Sequence, residues 1–233
     1  MKNRALPVLL VLAGLAWTSA QALLPDMGLE WADRLTAVAD ARGRQSAASA
    51  LLMLAGSFLV LAAIAMALAS RTGPGARLTR IGTVLLGLGG IWLVAGRGVF
   101  SMTMLRLTGP EVDSDAALAA LSGEGGPEYI ALLPTLPALL LDPVLLAIGT
   151  RRARMSSWLP LVCWVVGIGT FVATEFTIKL GESLGIAVAS IGLVLIGLAL
   201  SRATPDAPSA TAPVSGPQPA RASTATRRSA TRP

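Results

Sequence analysis

Apolar residues fall along this chain in blocks of about twenty, separated by short polar stretches. A helix rises about 1.5 Å per residue, so about twenty apolar residues cross the roughly 30 Å hydrocarbon core of a bilayer. The blocks predict six membrane-spanning helices, at Ala5–Leu24, Ala48–Ala69, Ile81–Phe100, Tyr129–Thr150, Trp158–Phe176 and Leu184–Leu200. The expected fold class is therefore all-α, a polytopic membrane helical bundle over residues 1–200. The first block has a second reading. Lys2 and Arg4 ahead of an apolar run, with Ala20-Gln21-Ala22 behind it, also fit a cleavable signal peptide.

Two connections carry helical patterns of their own. Trp31, Leu35 and Val38 recur at i, i+4, i+7 beside Glu30, Asp33 and Arg34. That spacing predicts an amphipathic helix lying on the interface or capping the bundle. Between the third and fourth blocks, Asp113 or Ser114 can cap a short helix and Gly123 can stop it. From Ser201 to Pro233 the material changes to Pro, Ser, Thr and Arg with one acid, Asp206. Such a segment buries too little apolar area to offset chain entropy, so residues 201–233 are expected to be a disordered basic tail.

Charge orients the blocks. With the N-terminus inside, thirteen of the 19 Lys and Arg residues fall on the inner side, with only Asp206 against them. Eleven acids and the other six cations fall outside, the positive-inside asymmetry of a membrane protein with both termini cytoplasmic. Composition agrees with this location. The chain is 53% apolar and 14% charged, where soluble domains carry about 25% charged residues. Its mean hydropathy is +0.66. The net charge of +6 does not point to nucleic acid, because the cations flank the blocks and populate the tail instead of covering a soluble face. The implied partner is the lipid bilayer of the bacterial cytoplasmic membrane. Anionic head groups would attract the Arg residues of the tail.

Candidate chemistry is sparse. There is no His, and Cys163 is the one cysteine. This removes the usual catalytic triads, His-containing zinc sites and any intramolecular disulfide. No catalytic residue, metal ligand or cofactor is predicted. Small and polar residues do recur at helical spacing inside the blocks, as membrane helix interfaces require. The third block has Thr83, Gly87, Gly90, Arg97 and Ser101; the fourth has Ala131, Thr135, Ala138, Asp142 and Gly149. The fifth has Cys163, Gly167, Thr170, Thr174 and Thr177; the sixth has Ser183, Ala187, Ser190, Gly197 and Ser201. These faces read either as helix contacts or as the walls of a narrow polar pathway.

Asp142, Arg97, Glu175, Thr135, Thr170 and Thr174 are the intramembrane polar residues that this pattern singles out. Arg97–Glu175 is the favoured ion pair, with Glu175–Lys179 as the competing surface pair at i, i+4. Asp142 precedes Pro143, a natural cap followed by a first helical position. Pro143 cannot bond the Leu139 carbonyl, so the fourth block is expected to kink or break there, with Asp142 satisfying the break. A carboxylate at that depth with no cation beside it could also carry a proton or coordinate a cation.

The basic turn "RRARMSSWLPLV", Arg151–Val162, leads a Trp into the fifth block. With the six-block layout over about residues 5–200, it resembles the uncharacterised small six-helix integral membrane proteins of high-GC bacteria. That resemblance implies a membrane location and brings no catalytic residue. The expected function is therefore non-enzymatic: structural, accessory or sensing. A small-solute, ion or proton carrier using Asp142 with Arg97 is the alternative. A membrane-embedded enzyme is the second alternative, weakened by the missing histidine.

Overall fold

The computed structural model describes residues 5–25, 30–69, 72–122, 135–174 and 178–202. All of them fall within one unit, Lys2–Thr204. Among the described residues every regular element is a helix. In chain order they are α1 (Ala5–Leu23), α2 (Trp31–Asp40), α3 (Arg42–Leu68), α4 (Ala76–Leu107), α5 (Ser114–Ser122), α6 (Thr135–Arg152), α7 (Leu159–Thr174) and α8 (Lys179–Arg202). Four of these, α1, α3, α4 and α8, are long and apolar enough to cross a membrane. The helix α7 is apolar but has 16 residues. The helix α6 has 18 residues and carries Asp142, Arg151 and Arg152. The first six residues of its predicted block, 129–134, lie outside the described residues.

The observed helices outrun the predicted blocks at several ends. Arg42, Arg44 and Gln45 extend α3 backwards from Ala48. Likewise α4 continues to Leu107, past Phe100, and α8 begins at Lys179, before Leu184. At its other end α8 runs to Arg202, so Ser201 and Arg202 belong to a helix and not to the tail assigned to them. The rest of that predicted tail lies outside the described residues.

The helices pack in a cycle. The helix α1 lies between α3 and α8, α3 meets α4, α4 meets α6, α7 lies against α8, and α6 touches both α7 and α8. Small residues build the faces between them. A Cβ added at Gly14 of α1 would stand 2.7 Å from that of Ser190 on α8. One added at Gly89 of α4 would stand 2.9 Å from Cα of Leu139 on α6. The α7–α8 contact is equally tight. A Cβ at Gly167 would collide with the backbone of Gly185 and Ala189, and one at Gly192 would lie 2.6 Å from the Pro160 carbonyl oxygen. Large apolar side chains such as Leu15, Ile64, Val84, Val165 and Ile191 are exposed on the outer faces. Small residues between helices and large apolar ones outside suit a bundle surrounded by lipid.

The pattern at 31–38 forms α2 as expected, with Val38 buried. The Trp31 ring meets that of Phe100 on α4 at 6.3 Å between centroids, so α2 packs across that end of α4. The guanidinium of Arg34 lies 4.8 Å over the Trp31 ring. The short helix α5 is also present, and Oδ1 of Asp113 accepts the backbone N–H of Asp115 at 3.2 Å. Within α4, Trp92–Gly98 is wound as π-helix, with wider turns than the rest.

Candidate functional site

Asp142 lies in the middle of α6 and is fully buried. Three members of the expected face, Ala138, Asp142 and Gly149, are buried, and Ala131 lies outside the described residues. Opposite lies α4, where a Cβ at Gly82 would come within 3.1 Å of the Asp142 backbone carbonyl and 2.8 Å of Leu146 Cγ. Of the expected kink or break at Pro143, the break is absent. Thr135–Arg152 runs as one helix through Pro143, and neither carboxylate oxygen of Asp142 has a hydrogen-bond partner among the described residues. Asp142 therefore caps no described backbone group. Two contacts reach this turn from other helices. Gly82 lets α4 close against its backbone, and the indole N–H of Trp164 on α7 donates to the Leu140 carbonyl at 3.2 Å. That carbonyl lies three residues before Pro143, in the turn where the proline has removed a ladder donor.

Among the described side chains, none of the other predicted residues bonds Asp142. Arg97 sits in the π-helical segment of α4, half-buried, and makes no ion pair with a described residue. Glu175, its favoured partner, lies outside the described residues, as does Thr177. Lys179, the competing partner of Glu175, pairs with Glu182 at 3.0 Å. Thr174 donates its hydroxyl to the Thr170 carbonyl of its own helix at 2.8 Å. Thr170 is half-buried on the same helix, and Thr135 is the first residue of α6.

Two buried polar clusters are not legible in the pattern. Gln21 of α1 donates its amide to Oε2 of Glu182 on α8 at 2.7 Å, and Lys179 shares that oxygen. Both Gln21 and Glu182 are buried. In the second cluster, Gln45 of α3 donates to the Ser101 hydroxyl on α4, and the Ser49 hydroxyl reaches the same oxygen at 2.7 Å. All three residues are buried. Nearby, Arg42 closes the end of the pair by donating to the Thr108 carbonyl at 2.6 Å. The one local signal is the helical spacing of Gln45 and Ser49, one turn apart at the start of an apolar block.

A cavity of about 990 Å³ opens at the other end of the bundle. Leu6, Met66 and Leu200 give it apolar walls, and Arg80, Arg152 and Arg154 line it with positive charge. The turn before α4 shapes one side. Gly75 has φ +80°, which a side chain rarely adopts, and a Cβ there would collide with the Gly149 carbonyl. This lets the 72–80 segment press against the end of α6. The chain matches no protein-family model, no curated protein and no solved structure.

Proposed function

We propose that this chain is an integral protein of the bacterial cytoplasmic membrane, with six spans and both termini cytoplasmic. Its role is non-enzymatic: structural, accessory or sensing. The packing of the bundle carries this reading. Glycines at the α4–α6, α1–α8 and α7–α8 contacts bring backbones together where a pathway would need space. The candidate polar residues are also dispersed, with Thr170 and Thr174 on α7 and Arg97 on α4. The charge asymmetry of the connections supports six spans in this orientation. Reporter fusions after Thr72, Asp113, Ser157 and Arg202 test the topology. Cytoplasmic signals at Thr72, Ser157 and Arg202, and an external one at Asp113, are expected. An external signal at Ser157 or Arg202 would overturn it.

A second reading rests on one observation, the fully buried Asp142 carboxylate with both oxygens unpaired among the described residues. Such groups in membrane helices mark proton and ion routes. On this reading the protein carries a proton or small cation at Asp142. Proteoliposomes holding wild type and Asp142→Asn separate the two. Equal background flux in both supports the non-transporting reading. Selective loss in the variant, with an unchanged unfolding midpoint, supports the carrier.

A further inference from the structure

The cavity at the Arg-rich end combines two features that one ligand chemistry needs together. Its walls include Leu6, Met66 and Leu200, from three different helices. Arg80, Arg152 and Arg154 also line it, and no acid does so among the described residues. A volume near 990 Å³ lies at the upper end of the range for small-molecule sites. Apolar walls take acyl chain. Several guanidinium groups take a phosphate ester, whose oxygens match their planar forks.

The backbone at Arg154 adds an independent observation. Arg154 has φ +57°, the one positive φ outside glycine among the described residues. It ends α6 in a paired-bond motif: Met155 N–H donates to the Thr150 carbonyl and Arg154 N–H to the Arg151 carbonyl, both at 2.9 Å. In that motif the left-handed position belongs to glycine, because a Cβ there crowds the following carbonyl oxygen. The chain holds an arginine at a position where glycine would serve the backbone better, and that arginine lines the cavity. Three residues before it, Arg151 lies 5.8 Å over the ring of the exposed Trp158. Exposed Trp beside cations is characteristic of head-group depth.

We propose that this cavity binds a phospholipid of net negative charge, with Arg152 and Arg154 holding the phosphate and the apolar walls holding the proximal acyl chain. The site does not depend on which side of the membrane it faces, so its test is separate from that of the topology. Full-length protein is placed in nanodiscs of phosphatidylcholine containing a minor fraction of phosphatidylglycerol, and retained lipid is counted by native mass spectrometry. Wild type should retain phosphatidylglycerol over phosphatidylcholine by about tenfold or more, because both lipids carry the phosphate but the choline cation opposes the guanidinium groups. Arg154→Gly should unfold at the same or a higher temperature and lose most of that preference, while Arg152→Gln loses part of it. Arg77→Gln, an exposed cation on α4 outside the cavity lining, should keep it. Two results overturn the site: no preference in wild type, or an Arg77→Gln loss equal to that of Arg154→Gly. Millimolar inorganic phosphate is the remaining arm. Failure to displace the lipid supports the assignment, and complete displacement would identify a soluble phosphate ligand and overturn it.

Discussion

Two glycines on α7, two residues apart, should respond in opposite ways to the same added methyl group. At Gly167 the new Cβ would lie 2.8 Å from Cα of Ala189 and closer still to the Ala189 nitrogen and the Gly185 carbonyl oxygen. All of these are backbone atoms of α8, so no side chain can turn aside and the helices must separate. Overpacking of this kind costs about 1–3 kcal/mol. At Gly169 the new Cβ meets nothing within 4 Å. Both substitutions gain the same helix propensity, about 1 kcal/mol for Gly→Ala in water. That gain cancels when the variants are compared with each other. Gly167→Ala should therefore be less stable than Gly169→Ala by about 1–3 kcal/mol. Reversible unfolding in mixed micelles of dodecyl sulfate and dodecylmaltoside, followed by tryptophan fluorescence, measures the difference directly. Equal stabilities, or a more stable Gly167→Ala, would refute the packing described between α7 and α8.

Five further outcomes follow from the polar contacts, each read by the same unfolding assay. Trp164→Phe keeps an aromatic ring but deletes the donor to the Leu140 carbonyl, and should cost about 0.5–1.5 kcal/mol. Glu182→Ala should cost about 1–3 kcal/mol, because the buried Gln21 amide loses its acceptor. Lys179→Ala removes only a partly exposed i, i+3 pair and should cost about 1 kcal/mol or less. Ser101→Ala strips an acceptor from both Gln45 and Ser49 and should destabilise by about 1–2 kcal/mol. Thr103→Ala, whose exposed hydroxyl donates to the Val99 carbonyl of its own helix, should stay within about 0.5 kcal/mol of wild type.

Local pattern is a good guide where the structure is local. The spacing of Trp31, Leu35 and Val38 predicts α2, and Asp113 predicts the start of α5, because both depend on residues within two turns. The buried face of Ala138, Asp142 and Gly149 is likewise readable from helical spacing. The break expected at Pro143 is absent, and the contacts made at that turn are nonlocal. A proline removes one donor, and the sequence around it does not disclose that Gly82 and Trp164, on two other helices, reach the same turn. The small-residue face of α8 is divided in a similar way. Ser190 and Gly197 do lie at a contact, but with α1; the closest approach to α7 is made by Gly185, Ala189 and Gly192. A helix with small residues on two sides offers two stripes, and spacing alone cannot rank them. The Gln21–Glu182 bond spans 161 positions, so no short window along the chain contains both partners.

That separation bears on how the protein is made. The helices α1 and α8 run antiparallel, with Gln21 beside Glu182, Gly14 beside Ser190 and Leu10 beside Gly197. At a synthesis rate of about 5–20 residues per second, α1 leaves the ribosome roughly 10–30 s before its partner. Throughout that interval its small face and the Gln21 amide have no α8 to receive them. The bundle can close only when its last helix is inserted. A chain ended before Lys179 would keep an open seam along α1, with the Gln21 amide lacking its Glu182 acceptor.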